Sequence, residues 1–177
     1  MSHIATLEPA LAIDASLAGQ QLPPWAHSKV RTLYDYWLAR RRSVAALPSR
    51  RDIDPADFPD LLRNVFLLNV NELNVNEGEP RFTYRVAGEK LSWLHRTPLT
   101  GRPLGAGLTE QHRADATARA LDIVQGREPA WRSGDLGWCE RGYFDFQELI
   151  VPLAGPAGNV AMLLGILVII DPLGKEC

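Results

Sequence analysis

At 177 residues the chain is long enough to bury a real core yet close to the size of one domain, and 46% apolar against 23% charged residues is the balance of an ordinary globular protein, neither disordered nor fibrous. Lysine and arginine number 19 against 21 acidic residues, and a formal charge of −2 lacks the basic footprint that phosphate-backbone binding requires, so nucleic acid is not an expected partner. Cys139 and Cys177 lie too far apart in sequence, and too alone, for a disulfide framework or a metal knuckle, which suits a reducing cytoplasm.

Residues 1–24 show no sustained period and end in Pro23 and Pro24, so they read as a loosely ordered extension with at most one helical turn. Glu8 and Asp14 interrupt the stretch from Ile4 to Leu17, and a secretory leader is not expected there. Residues 25–46 hold an amphipathic flanking helix, about 27–42, with Ser28 as its expected cap and Val30, Leu33, Tyr34, Trp37 and Leu38 on one stripe. Arg40, Arg41 and Arg42 suit the negative end of its dipole and, with Arg50 and Arg51, read as a solvated cluster. Five large apolar groups on one stripe must be covered, either by the chain's own sheet or by a second copy; the stripe is taken as a homodimer interface.

Residues 47–172 are expected to form the folded domain, followed by a tail, 173–177. Asp54-Pro55 starts a helical turn that Pro59 limits. Val65 to Val70 reads as a strand, Asn71 to Glu79 as a polar turn, and Arg81 to Val86 as a strand with Phe82, Tyr84 and Val86 on one face. A short helix from Glu89 to His95 carries Leu91 and Leu94, and a Pro- and Gly-broken loop follows from Thr97 to Leu108. Thr109 caps a longer helix with Ala114, Ala118, Leu121 and Val124 facing the core and Gly126 as its stop. Pro129 to Trp138, Tyr143 to Leu153 and Val160 to Ile170 read as three strands; the last is the longest apolar run and is too short to cross a bilayer as a helix.

Two strands, a helical crossing and a three-stranded meander give a five-stranded antiparallel sheet with helices on one face and an N-terminal flanking helix, an α+β class. The stretch from Leu47 to Gly101 carries Arg51-Asp52-Ile53-Asp54-Pro55, Leu61-Leu62-Arg63-Asn64-Val65-Phe66-Leu67-Leu68, Tyr84-Arg85-Val86-Ala87-Gly88 and Leu99-Thr100-Gly101-Arg102, and the strand from Glu148 to Ala154 ends in Pro-Leu-Ala. In these segments, over about residues 28–171, the sequence resembles compact bacterial proteins made of little more than one PAS domain. The resemblance implies a PAS-like fold and a noncatalytic sensory or regulatory module acting through protein–protein contact, with a histidine kinase or another signalling protein as partner.

The chemistry-bearing residues give an enzyme little support. His95 and His112 stand in different helices without a second ligand at metal spacing, and His112, in a first helical turn, is poorly placed as an axial haem ligand. Glu89 to Gly107 holds no cysteine for flavin photochemistry, and Cys139 has no neighbouring histidine to activate it. Gly105-Ala106-Gly107-Leu108-Thr109-Glu110 follows a proline-rich connector instead of a strand, so it reads as a lead into a helix and not a dinucleotide loop. No cofactor is expected. A pocket between the sheet and the short helices, lined by Phe82, Tyr84, Leu91, Trp93, Leu94, Trp131, Phe144 and Phe146, would take a small apolar or aromatic ligand, although the same residues can simply fill a core. The alternatives are a stand-alone small-molecule receptor and a hydrolase or isomerase using a pocket carboxylate such as Asp145 or Glu148.

Overall fold

The computed structural model describes residues 13–16, 21–43, 46–71, 81–137 and 142–177. Its strands are β1 (Ile13–Ser16), β2 (Val65–Asn71), β3 (Arg81–Ala87), β4 (Ala130–Asp135), β5 (Asp145–Ala154) and β6 (Val160–Ile170), and its helices are α1 (Ser28–Arg40), α2 (Glu89–His95) and α3 (Glu110–Gly126). The strands form one antiparallel sheet in the order β1-β4-β5-β6-β2-β3. Its last five members are the expected five-stranded sheet, with α2 and α3 on one face. The sixth strand, β1, lies in the extension read as loosely ordered; it pairs with β4 from Ile13↔Ser133 to Ser16↔Ala130, a long-range pairing that no local pattern announces.

Alternation along the strands sends successive side chains to opposite faces, and both faces are covered. On one face Val65, Leu67, Leu149, Val151, Leu164, Ile166 and Val168 meet α1. On the other, Phe66, Leu68, Leu163, Leu167 and Ile169 meet α2, α3 and the loop between them. A strand buried on both sides has no polar phase, which is why β6 reads as an unbroken apolar run.

The stripe of α1 is covered by the chain's own sheet: Val30, Leu33 and Trp37 are 0% exposed within a single chain. They are therefore core residues and not an interface, because the apolar sheet face opposite α2 and α3 needs a cover of its own. Tyr34 is half-buried and Leu38 is 39% exposed, so of the proposed interface set these two keep some surface. His27, not Ser28, caps α1, its side chain accepting from the Lys29 N–H. Asp54 caps the turn at Pro55–Asp57 as expected, accepting from the Ala56 N–H at 2.9 Å.

Two phases differ from the sequence reading. In β3, Phe82 and Tyr84 are buried but Val86 is 48% exposed. The β2–β3 register passes from Val70↔Phe82 and Leu68↔Tyr84 to Leu67↔Val86, so a bulge at Arg85 turns Val86 to the other side. In α3, Ala120 and Ile123 face the core while Ala114 and Ala118 are exposed, and Arg127 takes the left-handed cap position (φ 56°) assigned to Gly126. Cys139 and the turn around it, and most of the turn from Asn71 to Glu79, lie outside the described residues.

A closing hairpin ties the two layers together. Cys177 N–H donates to the Ile169 carbonyl, and the Glu176 carboxylate accepts from Lys29 Nζ on α1 (2.7 Å) and from Asn64 Nδ2 (3.0 Å). Asn64 is fully buried and also exchanges hydrogen bonds with Leu167.

Candidate functional site: a cavity between the sheet and the helices

Between the sheet and α2, α3 and the loop from Thr97 to Leu108 lies a cavity of about 200 Å³. That loop is pinned to the edge of β3, where Gly101 N–H donates to the Tyr84 carbonyl, Tyr84 N–H to the Arg102 carbonyl and Leu104 N–H to the Phe82 carbonyl. The same bonds close the edge strand against a further strand. The apolar floor is built from Phe66, Leu68, Phe146 and Leu167 of the sheet, and Leu91 and Leu94 of α2 face it from above.

Of the residues assigned to a pocket from sequence, Tyr84, Leu91, Leu94 and Phe146 line this cavity. Phe82 is buried in the same core without reaching it. Trp131 is 2% exposed but lies on the opposite face, edge-on to Trp25 with ring centroids 4.9 Å apart, because in β4 it is Arg132 that points beneath the helices. Trp93 is 37% exposed and stands edge-on to half-buried Phe144, centroids 6.0 Å apart, away from the cavity.

Of the polar wall, the sequence reading named only Glu148 as a pocket group. The face of α3 bearing His112, Asp115 and Arg119, at helical spacings of three and four, looks into the cavity, as do Arg132 and Glu148 from facing positions of β4 and β5 and His95 from α2. A charged residue at an alternating strand position reads as solvated; the signal in hindsight is the directly opposed, oppositely charged pair on two adjacent strands. Arg132 Nε donates to Glu148 Oε2 at 2.5 Å, and its guanidinium lies 4.8 Å over the Phe146 ring. Burial pushes the His95 imidazole below its ordinary range, with Glu148 pulling the other way, so His95 is held toward its neutral form. His112 Nδ1 is within 2.7 Å of the Thr109 hydroxyl that caps α3, which engages that ring nitrogen. Asp145, the other carboxylate considered for catalysis, is exposed outside the cavity.

Among the described residues no group of histidine, cysteine and acidic side chains is arranged to hold a metal ion, and no helix is long and apolar enough to cross a membrane. No curated protein matches the chain. A solved structure described as that of an RNA-binding light-oxygen-voltage receptor is similar at 10% identity and a TM-score of 0.43 over 90% of this chain, which spans 39% of the length of that one. Residues 25–168, from the turn ahead of α1 nearly to the end of β6, match the family model described as the PAS domain, and the chain belongs to that family.

Proposed function

We propose that this PAS-domain chain is a noncatalytic sensory or regulatory module that takes a small apolar or aromatic ligand beneath α2 and α3 and passes its state on by protein–protein contact. The observation that carries this reading is the cavity itself: about 200 Å³, with an apolar floor and a few convergent polar groups, the composition of a small-molecule site and not of a filled core. Its roof is made by α2, α3 and their connecting loop, elements whose shift on ligand binding alters the outer surface offered to a partner. The partner class is a histidine kinase or another cytoplasmic signalling protein, and the module pairs as a homodimer, with Tyr34 and Leu38 as the exposed remainder of the α1 stripe.

The open cavity also favours a second reading, a stand-alone small-molecule receptor. A hydrolase or isomerase is less well supported, because Glu148 is already engaged by Arg132 and Asp145 lies outside the cavity. Native mass spectrometry of freshly purified protein tests the proposal: a dimer carrying a small-molecule mass is expected. A ligand-free protein whose cavity resonances are also unmoved by aromatic probes in NMR titrations would overturn it.

A further inference from the structure

Tyr84 is 6% exposed, with its ring edge-on to Phe66 in the cavity lining. Its hydroxyl has no hydrogen-bond partner among the described residues, yet it is not sealed among protein atoms, so it faces the open space of the cavity. Burial, reinforced by the Glu148 charge and only partly opposed by Arg132, pushes the phenol well above its ordinary range. Tyr84 therefore keeps its proton and presents its O–H as a donor to whatever occupies the cavity.

The rest of the wall fixes the charge of such an occupant. Two carboxylates, Asp115 and Glu148, balance two guanidiniums, Arg119 and Arg132, while His95 is held toward neutrality and the His112 ring is engaged by the Thr109 hydroxyl. Glu148 and Arg132 are committed to each other, and Asp115 accepts from Gln111 Nε2 at 3.0 Å. An ionised ligand would shed its hydration without finding a surplus of opposite charge, whereas a neutral one keeps the balance. Size sets the remaining bound: an apolar cavity of about 150 Å³ holds benzene. The roughly 200 Å³ here accommodates one ring with a short substituent.

Resting on the reading of this cavity as a ligand site, we infer that its ligand is a neutral, single-ring aromatic carbonyl compound (a ketone, aldehyde or ester) whose oxygen accepts from the Tyr84 hydroxyl while the ring lies on Phe66, Leu91 and Leu94. The test titrates the full chain with acetophenone, ethylbenzene and benzoate, following cavity methyl and amide resonances. Acetophenone is expected to bind roughly fivefold tighter than ethylbenzene, the worth of one neutral hydrogen bond. Benzoate is expected to bind more weakly than either. In Tyr84→Phe the preference for acetophenone should vanish, with ethylbenzene affinity and melting temperature unchanged. Equal binding of acetophenone and ethylbenzene to the natural chain, or a preference that survives Tyr84→Phe, would remove Tyr84 as the reader and leave the cavity's role standing. Tightest binding by benzoate would overturn the neutral class, and binding by none of the three would remove the ligand-site reading with it. If Tyr84→Phe folds poorly, the comparison of the three probes on the natural chain still decides.

Discussion

Trp37 and Trp131 are both almost completely buried on the α1 side of the sheet, but their indole N–H groups fare differently. Trp37 Nε1 donates to the Pro152 carbonyl at 2.9 Å, while Trp131 Nε1 has no partner among the described residues. Replacing either with alanine empties a large core volume and should cost about 3 to 5 kcal/mol. Phenylalanine separates them: Trp37→Phe also strands a buried carbonyl and should cost about 1 to 3 kcal/mol more than the lost volume explains, whereas Trp131→Phe removes a donor that was already unpaired. Chemical denaturation of the four variants measures this, and equal costs for the two phenylalanine variants would contradict the assignment. A second residue-scale prediction concerns Gly165 in β6, where a Cβ would run into the Phe66 ring across the strand pair. Gly165→Ala should force that ring toward the cavity, cost about 1 to 3 kcal/mol by overpacking and abolish probe binding in the same titration.

At the scale of elements, α1 is a structural layer. Deleting residues 1–43 exposes Leu149, Val151, Ile166 and the rest of that sheet face, so loss of the cooperative melt, and not a folded monomer, is the expected result on circular dichroism and light scattering. The closing hairpin fastens α1 through Glu176. Burial alone would raise that carboxyl, but hydrogen bonds from Lys29 and Asn64 outweigh it and hold it below the usual range. A depressed carboxyl contributes stability above its unfolded value that disappears as pH falls through the folded one. Stability should thus decline on acidification below the ordinary carboxylate range. Glu176→Gln should flatten that part of the profile at a cost of about 1 kcal/mol or less at neutral pH, since the pair is partly solvated. An acid limb unchanged by Glu176→Gln would show that the contact carries no linkage.

For the whole molecule, a cavity near 200 Å³ is smaller than the roughly 300 Å³ at which drug-sized pockets begin. The purified protein should accordingly show no visible haem or flavin absorption band; a stoichiometric band would mean that α2 and α3 stand open in the loaded protein. The order of the elements from α1 to β6 is legible in the chain, because each has a local cause: the proline-limited, Asp54-capped turn, the Thr109 cap of α3, and the alternating or continuous apolar runs of the strands. Of the eight residues marked for a pocket because large apolar groups must meet where sheet and short helices cross, Tyr84, Leu91, Leu94 and Phe146 line the cavity and Phe82, Trp93, Trp131 and Phe144 do not. Which side of the sheet each side chain takes is set by long-range packing. Period-two alternation defines two faces without saying which helix covers which, so Trp131, expected in the pocket, lies on the α1 side and its neighbour Arg132 lines the cavity. Nor does a local pattern register a bulge at Arg85, the long-range pairing of β1, or the coverage of α1 by its own sheet. The rest of the polar wall was hidden for the same reason: Asp115, Arg119 and Arg132 read locally as solvent-facing charges, and with Glu148 they become a site only because α3 and two strands bring them to one small volume where their charges balance.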